Sequence, residues 1–325
     1  MKQKEIPNIA DFKLFLSEHI FKEPILSLYQ FKRGASSFNY LATLKNKKIL
    51  VKLAWKHKKS GVERLVNIIS ILSKNKHLPV AKIIPVNKKE IFKYQNSYGF
   101  LLEYVDGISL PATQIKQHHI NEIIEKYKIF HNTDFSNKSL LVKEYDFNNI
   151  HFEYSKTAQL TLKKNKKHII YSFFAQQCVN ALHEIGSTPL TINSKKKEII
   201  HGDFHHNNLL FKNNHLVSIL DFEDIGYGYV SEDLLRFIFC LIARQPLFVS
   251  KRKQLKNYLS YVTKNFDYSY DQWMVGLNSF TLQKAKKLFN KEPKPSFSTI
   301  KKMVQFLVFM RLYRFVKNTL RKNLI

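Results

Sequence analysis

Cysteine is scarce in this chain, with two in 325 residues. Cys178 and Cys240 both lie in apolar surroundings, which suits reduced, buried thiols and excludes a disulfide framework. Long apolar runs are missing too. The longest, residues 234–242 and 303–316, are short or interrupted by Arg236, Arg311 and Arg314, so nothing approaches the roughly 20 apolar residues of a membrane span. Residues 1–12 lack an apolar h-region, so no secretory signal is expected and the chain reads as cytoplasmic. Internal repeats and low-complexity bias are absent, which leaves a chain long enough for two cores or one bilobal core.

Acidic residues are the other shortage: 25 Asp and Glu face 53 Lys and Arg, a net charge of +28. The imbalance is uneven. Residues 251–325 hold 17 Lys or Arg against Asp267, Asp271 and Glu292, a net +14. Such a field attracts anions, whether lipid headgroups, nucleic acid or acidic substrates. An AT-rich genome, which inflates Lys, Asn, Ile and Phe, accounts for the same excess. No recognised nucleic-acid-binding motif is present, so nucleic acid is not the expected partner. A helix expected over residues 299–321 carries Arg311, Arg314, Lys317 and Arg321 as one basic stripe, with Met303, Val304, Leu307 and Met310, and Phe306 or Val308, on its apolar side. It suits a core-packing helix with a solvated basic face, or one lying on an anionic membrane.

What is present is concentrated in HGDFHHNNLLF, residues 201–211, and ILDFED, residues 219–224. Asp203 precedes Asn208 by five positions, and Asp221 follows Asn208 by thirteen. Kinase catalytic loops of the H-x-D-x-x-x-x-N type share the first interval, and a metal-binding Asp then follows on a hairpin. Residues 208–212 and 215–222 read as the strands of that hairpin, with Asn213-Asn214 as a tight turn of positive φ. Charge explains the spacing. A transferring phosphoryl group with Mg²⁺ needs oxygen ligands, here Asn208 and Asp221, and a carboxylate, Asp203, to orient the attacking hydroxyl. A zinc cluster of His201, Asp203, His205 and His206 is the competing chemistry. No H-E-x-x-H or comparable partner appears elsewhere, and adjacent His205 and His206 tend to point apart.

These two motifs resemble the aminoglycoside phosphotransferase and choline kinase superfamily, small-molecule kinases with a protein-kinase-like fold. Gly202 stands where regulated protein kinases carry an Arg that receives an activation-loop phosphate, so the resemblance implies a kinase without that switch. Ser231-Glu232-Asp233-Leu234-Leu235 is similar to the family's Asp-Leu element, which implies a structural role for Asp233 at the opening of a C-lobe helix. His201 is implied to brace the loop, and Glu223 to stand in the outer shell of the metal.

The N-terminal half follows the same order. Residues 29–31 and 40–44 read as strands around a loop with Gly34, Ser36 and Ser37, similar to the family's nucleotide loop whose backbone N–H groups cover the phosphates. Lys48 to Ala54 is a strand with Lys52 in its interior, implied to bind the α- and β-phosphates. The helix expected over residues 60–75 contains one acid, Glu63, which makes it the expected partner of Lys52. Strands are expected to start at 77–80 and to run over 91–94 and 98–104. The resemblance then implies a hinge in which backbone groups from Glu103 to Val105 hold adenine. Helices are expected over 120–132 and 169–185, with loop-rich chain over 134–149.

The expected fold is α+β and bilobal: an antiparallel N-lobe sheet with one helix over residues 1–103, and a mainly helical C-lobe over 104–325. The expected activity is transfer of the γ-phosphate of ATP, with Mg²⁺, to a small-molecule hydroxyl. A sugar or glycolipid sugar suits the charge, since choline, amino alcohols and aminoglycosides favour acidic pockets; a choline, amino-alcohol or aminoglycoside kinase is the alternative within the same class. Peripheral contact with an anionic membrane surface, at its inner face, is the expected further partner. A nucleotide-binding pseudokinase and a basic nucleic-acid-binding protein are the readings from other classes.

Overall fold

The computed structural model describes residues 7–31, 37–135, 147–165, 167–186, 198–243, 252–289 and 294–325. The chain divides into two compact units. Unit 1 comprises Met1–Ser109, Glu125–Leu140 and Asn208–Glu223; unit 2 comprises Leu110–Ile124, Leu141–Asn207 and Asp224–Ile325. An antiparallel sheet with one long helix on it, together with a mainly helical remainder, makes this an α+β fold, as expected.

Unit 1 is built on β1 (Ser27–Gln30), β2 (Ser37–Thr43), β3 (Lys48–Ala54), β4 (Ile83–Ile84), β5 (Phe92–Tyr94) and β6 (Ser97–Glu103). Their order is β1-β2-β3-β6-β4, with β5 paired to β6, and all neighbours are antiparallel. Strict alternation along β3 buries Ile49, Val51 and Leu53 and turns Leu50 and Lys52 to the other face. The core face is closed by α1 (Ile9–Phe15), whose Phe12 ring lies 4.9 Å from Tyr40 and 4.6 Å from Tyr94. Neither α1 nor the π-helical turn Leu16–Phe21 that follows it was expected from the sequence. Helix α2 (Lys59–Lys74) buries Val62, Leu65, Val66, Ile69 and Leu72 at the spacing of one face, and packs on β6 and β4. The strand expected from 77 is displaced to β4, because Pro79 offers no N–H and serves as an acceptor for Ile219 N.

The hairpin of β8 (Leu209–Lys212) and β9 (His215–Ile219) also belongs to unit 1. Its turn is as expected, with Asn213 at φ 52° and Asn214 at φ 65°.

Unit 2 holds β7 (Glu198–Ile200) paired antiparallel with β10 (Gly226–Gly228), and the helices α4 (Phe147–Lys164), α5 (Ile169–Gly186), α6 (Val230–Ala243), α7 (Arg252–Asn265), α8 (Tyr270–Phe289) and α9 (Phe297–Leu324). Helix α3 (Gln117–His131) runs from unit 2 into unit 1. Helix α4 was not expected, and it begins inside the stretch read as loop. Its inward stripe includes Tyr154, Ala158 and Thr161, too little large apolar surface to announce a helix. Helix α9 packs Met303, Phe306, Met310, Leu312, Tyr313, Val316 and Leu320 inward. Arg314 of its basic stripe pairs with Glu184 at 2.7 Å, so α9 is a core-packing helix and its stripe is partly engaged. No helix among the described residues is long and apolar enough to cross a membrane.

Helices α6 and α8 approach so closely at Gly276 that a Cβ there would sit 2.2 Å from Ser231 Oγ and 2.5 Å from Glu232 N. Gly276→Ala should therefore destabilise the protein by about 1–3 kcal/mol, read as an earlier midpoint in urea unfolding; an unchanged midpoint would show that the two helices part without cost.

Candidate active site

In unit 2, β7 delivers the chain to His201, and the loop geometry is set by α6. Asp233, fully buried, accepts the N–H of His201 at 2.6 Å and that of Gly202 at 3.1 Å. Two backbone donors suit a buried carboxylate, since they offset the loss of water. Gly202 has φ +80°, and a Cβ on it would lie 2.2 Å from Asp224 O. Glycine is thus demanded by backbone geometry at this position, a reason independent of any phosphate switch. The His201 ring is buried, lies 5.9 Å from Phe204, and its Nδ1 accepts the N–H of Asp203 at 3.4 Å, which is a bracing role.

Asp203 projects from this loop with His205 Nε2 at 3.3 Å and Arg236 Nη1 at 3.6 Å. Burial alone would raise its pKa. The hydrogen bond and charge of His205, with Arg236 and His201 behind it, outweigh burial and hold the carboxyl at about 2. Asp203 is therefore ionised and hydrogen-bonding at neutral pH, suited to orient a hydroxyl and poorly suited to remove its proton early. Arg236 itself is anchored by the buried Glu232 at 3.0 Å and by Gln283, while Ser279 donates to Glu232 at 2.5 Å. Burial pushes the Glu232 carboxyl up against the pull of Arg236. Sequence reasoning missed Arg236. Its signal was its place three residues after Asp233, one turn along α6.

The zinc alternative finds no support among the described residues, where no group of three His, Cys, Asp or Glu is placed to hold a metal. The His205 and His206 rings lie 6.2 Å apart and tilted by 59°.

In unit 1, Asn208 and Asp221 flank the open end of the β8–β9 hairpin, where Leu220 N donates to Asn208 O at 2.8 Å. Asp221 sits at φ 64°, a left-handed conformation that a side chain adopts rarely and that concentrates at functional positions. Lys52 Nζ lies 3.5 Å from Asp221 and 2.7 Å from Glu223. Glu223 also pairs with His57 Nε2 at 3.3 Å, and its backbone O accepts from Arg64 Nη2 at 3.1 Å.

This corrects the expected partner of Lys52. Glu63 is not the partner of Lys52: it pairs with Lys59, one turn earlier on the same helix, at 3.4 Å, and its side chain is 46% exposed while that of Lys52 is 12% exposed. The rotation of α2 presents Arg64, a cation, to residue 223, and the carboxylate for Lys52 comes from the Asp-Phe-Glu motif instead. Glu223 is accordingly the partner that Lys52 meets. Two Asp-Phe-Glu acids, two residues apart, were the available signal.

Of the expected nucleotide contacts, Gly34 and Ser36 lie outside the described residues. Ser37 opens β2, is buried, and pairs in register with Ala54. At the expected hinge, Glu103 ends β6 and its N–H is already given to Lys82 O at 3.0 Å. Val105, beyond it, is half-buried and enters no backbone pairing among the described residues. The hinge is tied to the hairpin by Lys212 and Asp106 at 2.7 Å and by a bridge between Ile108 and Phe211.

Oxygen donors at Asn208 and Asp221 are the hard ligands that Mg²⁺ takes, and two protein ligands suffice for an ion that keeps waters and binds phosphate. The donor set therefore fits the metal, and the Lys52 ammonium beside it fits the phosphates.

The model of the phosphotransferase enzyme family matches residues 27–257. A search of curated proteins finds no match. Among solved structures, the chain is similar to spectinomycin phosphotransferase APH(9)-Ia in complex with ADP and spectinomycin, at 14% identity and TM-score 0.69, over 97% of this chain and 99% of that one. An aminoglycoside phosphotransferase from Alicyclobacillus acidocaldarius matches at 12% identity and TM-score 0.69, over 99% and 98%. ADP-bound APH(2'')-Ib matches at 15% identity and TM-score 0.61, over 92% and 96%.

Replacing Glu223 by Gln should raise the KM for ATP by about tenfold or more, because Lys52 loses a half-buried partner, while Glu63→Gln should leave it near the wild-type value. The reverse ranking in steady-state kinetics would restore Glu63 as the orienting acid.

Proposed function

The chain belongs to the phosphotransferase enzyme family, and from that membership we propose the roles and the acceptor of its reaction. It is an ATP-dependent kinase that phosphorylates a hydroxyl of a small molecule. In our reading Lys52, held by Glu223, binds the α- and β-phosphates, with Gly34, Ser36 and Ser37 over them and the Val105 backbone at the adenine. Asn208 and Asp221 hold Mg²⁺, which when bound neutralises charge on the phosphates. Asp203 accepts the hydrogen bond of the acceptor hydroxyl. As its oxygen bonds to the γ-phosphorus and the bond to the β-phosphate oxygen breaks, ADP departs and the hydroxyl proton passes to Asp203. Arg236 and His205 keep Asp203 ionised until that moment.

The observation that carries this reading is the pairing of Lys52 with both acids of one motif, Asp221 and Glu223. A cation so held between carboxylates is a phosphate site with its charge balance already set.

For the acceptor we favour a neutral or anionic sugar, including a sugar of a cell-surface glycolipid reached at an anionic membrane surface. Support comes from charge: of the three acids in residues 251–325, Asp267 and Asp271 are exposed, and Asp271 sits in the first turn of α8. Cationic amino alcohols and aminoglycosides gain little from such a lining.

Asp203→Ala should lower acceptor phosphorylation by at least about a hundredfold while ATP binding persists; unchanged turnover would make the chain a pseudokinase. In a panel of sugars, amino alcohols, aminoglycosides and lipopolysaccharide fragments with Mg²⁺-ATP, a sugar should show the highest kcat/KM. Choline or an aminoglycoside in first place would overturn the acceptor assignment.

A further inference from the structure

We propose that the tip of the α4–α5 hairpin in unit 2 docks the protein on an anionic lipid bilayer. The chain reverses there within a few residues, and the reversal is tied on both sides. Asn165 Nδ2 donates to Thr161 O at 2.9 Å, His168 N and Ser172 Oγ both donate to Asn165 O, at 3.0 and 2.7 Å, and Ser172 N donates to His168 O at 2.8 Å. The first turns of α5 are therefore held in place with Ile169 83%, Ile170 67% and Phe173 58% exposed. The opposite face of the same helix buries Tyr171, Ala175, Cys178, Val179 and Leu182. Single exposed apolar residues are ordinary, but three large ones adjacent on one helix end are not, and such a patch marks an interaction surface.

The charge around the patch selects the occupant. Residues 154–183 contain five lysines, Lys156, Lys163, Lys164, Lys166 and Lys167, and no acid. Lys163, Lys164 and Lys167 are exposed beside the tip. A protein partner would need a complementary hollow for side chains that stand this far from their own neighbours. A bilayer needs no such match: apolar tips enter the headgroup boundary while lysine stems extend their ammonium groups to anionic headgroups. Helix α9, the basic helix of the chain, turns Met303, Phe306 and Met310 into the core, and its exposed Phe297, Val304 and Val308 are spread along the helix instead of clustered at one end.

This proposal rests on the reading that the enzyme works at an anionic membrane surface, and it is tested without reference to catalysis. The full chain is sedimented with vesicles of phosphatidylcholine alone and of phosphatidylcholine with phosphatidylglycerol. Binding should require the anionic lipid and weaken as salt rises. Ile169→Glu or Phe173→Glu should weaken it by at least about tenfold. Lys163→Gln, Lys164→Gln and Lys167→Gln combined should remove the anionic preference, and this variant reads the same docking if Ile169→Glu fails to fold. Equal binding by wild type and variants, no binding by wild type, or a dimer that Ile169→Glu dissolves would each overturn the proposal. A wild type that phosphorylates its acceptor but does not bind the anionic vesicles would overturn docking alone, whereas docking without phosphorylation of any sugar would overturn the acceptor assignment alone.

Discussion

The carboxylate of Asp233 has no exposed surface, and it accepts the N–H groups of two consecutive residues, His201 and Gly202. An anion without water is tolerable only when strong donors replace the water, so the loop backbone and the helix that carries Asp233 cannot move independently. The left-handed turn at Gly202 follows from this tie, as does the placement of His201 beneath the N–H of Asp203. Two more residues of the same helix extend the arrangement: Glu232 fixes Arg236, and Arg236 faces Asp203. One helix start thus holds the loop backbone and adds Arg236 to His205 in favouring the ionised form of Asp203.

Unit 1 solves a parallel problem with opposite charges. A lysine on the outer face of a central strand is costly to half-bury unless acids meet it. The hairpin brings Asp221 and Glu223 to Lys52, and α2 adds Arg64 to the backbone of Glu223. The acids of one short motif therefore balance the Lys52 ammonium.

The legible parts of the fold were those in which local chemistry dictates geometry. An apolar run identified β3 with Lys52 in its interior, and two asparagines announced the positive φ values of the hairpin turn. The parts that escaped depend on rotation or on weak patterning. Glu63 was the sole acid of α2 and so the natural partner for Lys52, but the helix turns it toward Lys59. Helix α4 hides because residues such as Ala158 and Thr161 occupy its inward stripe, and α1 hides because its anchor, Phe12, matters only once the sheet exists.

By itself, the sequence determined the kinase-like order of elements and the loop and hairpin motifs that carry Asp203, Asn208, Asp221 and Lys52, because spacing along a chain constrains what a turn or strand can present. Tertiary structure alone decided which carboxylate meets Lys52, which arginine faces Asp203, and which apolar residues the α4–α5 tip leaves uncovered. Each of those depends on how one element is rotated and packed against another, and a linear pattern of residues carries that information only after every neighbour has been placed.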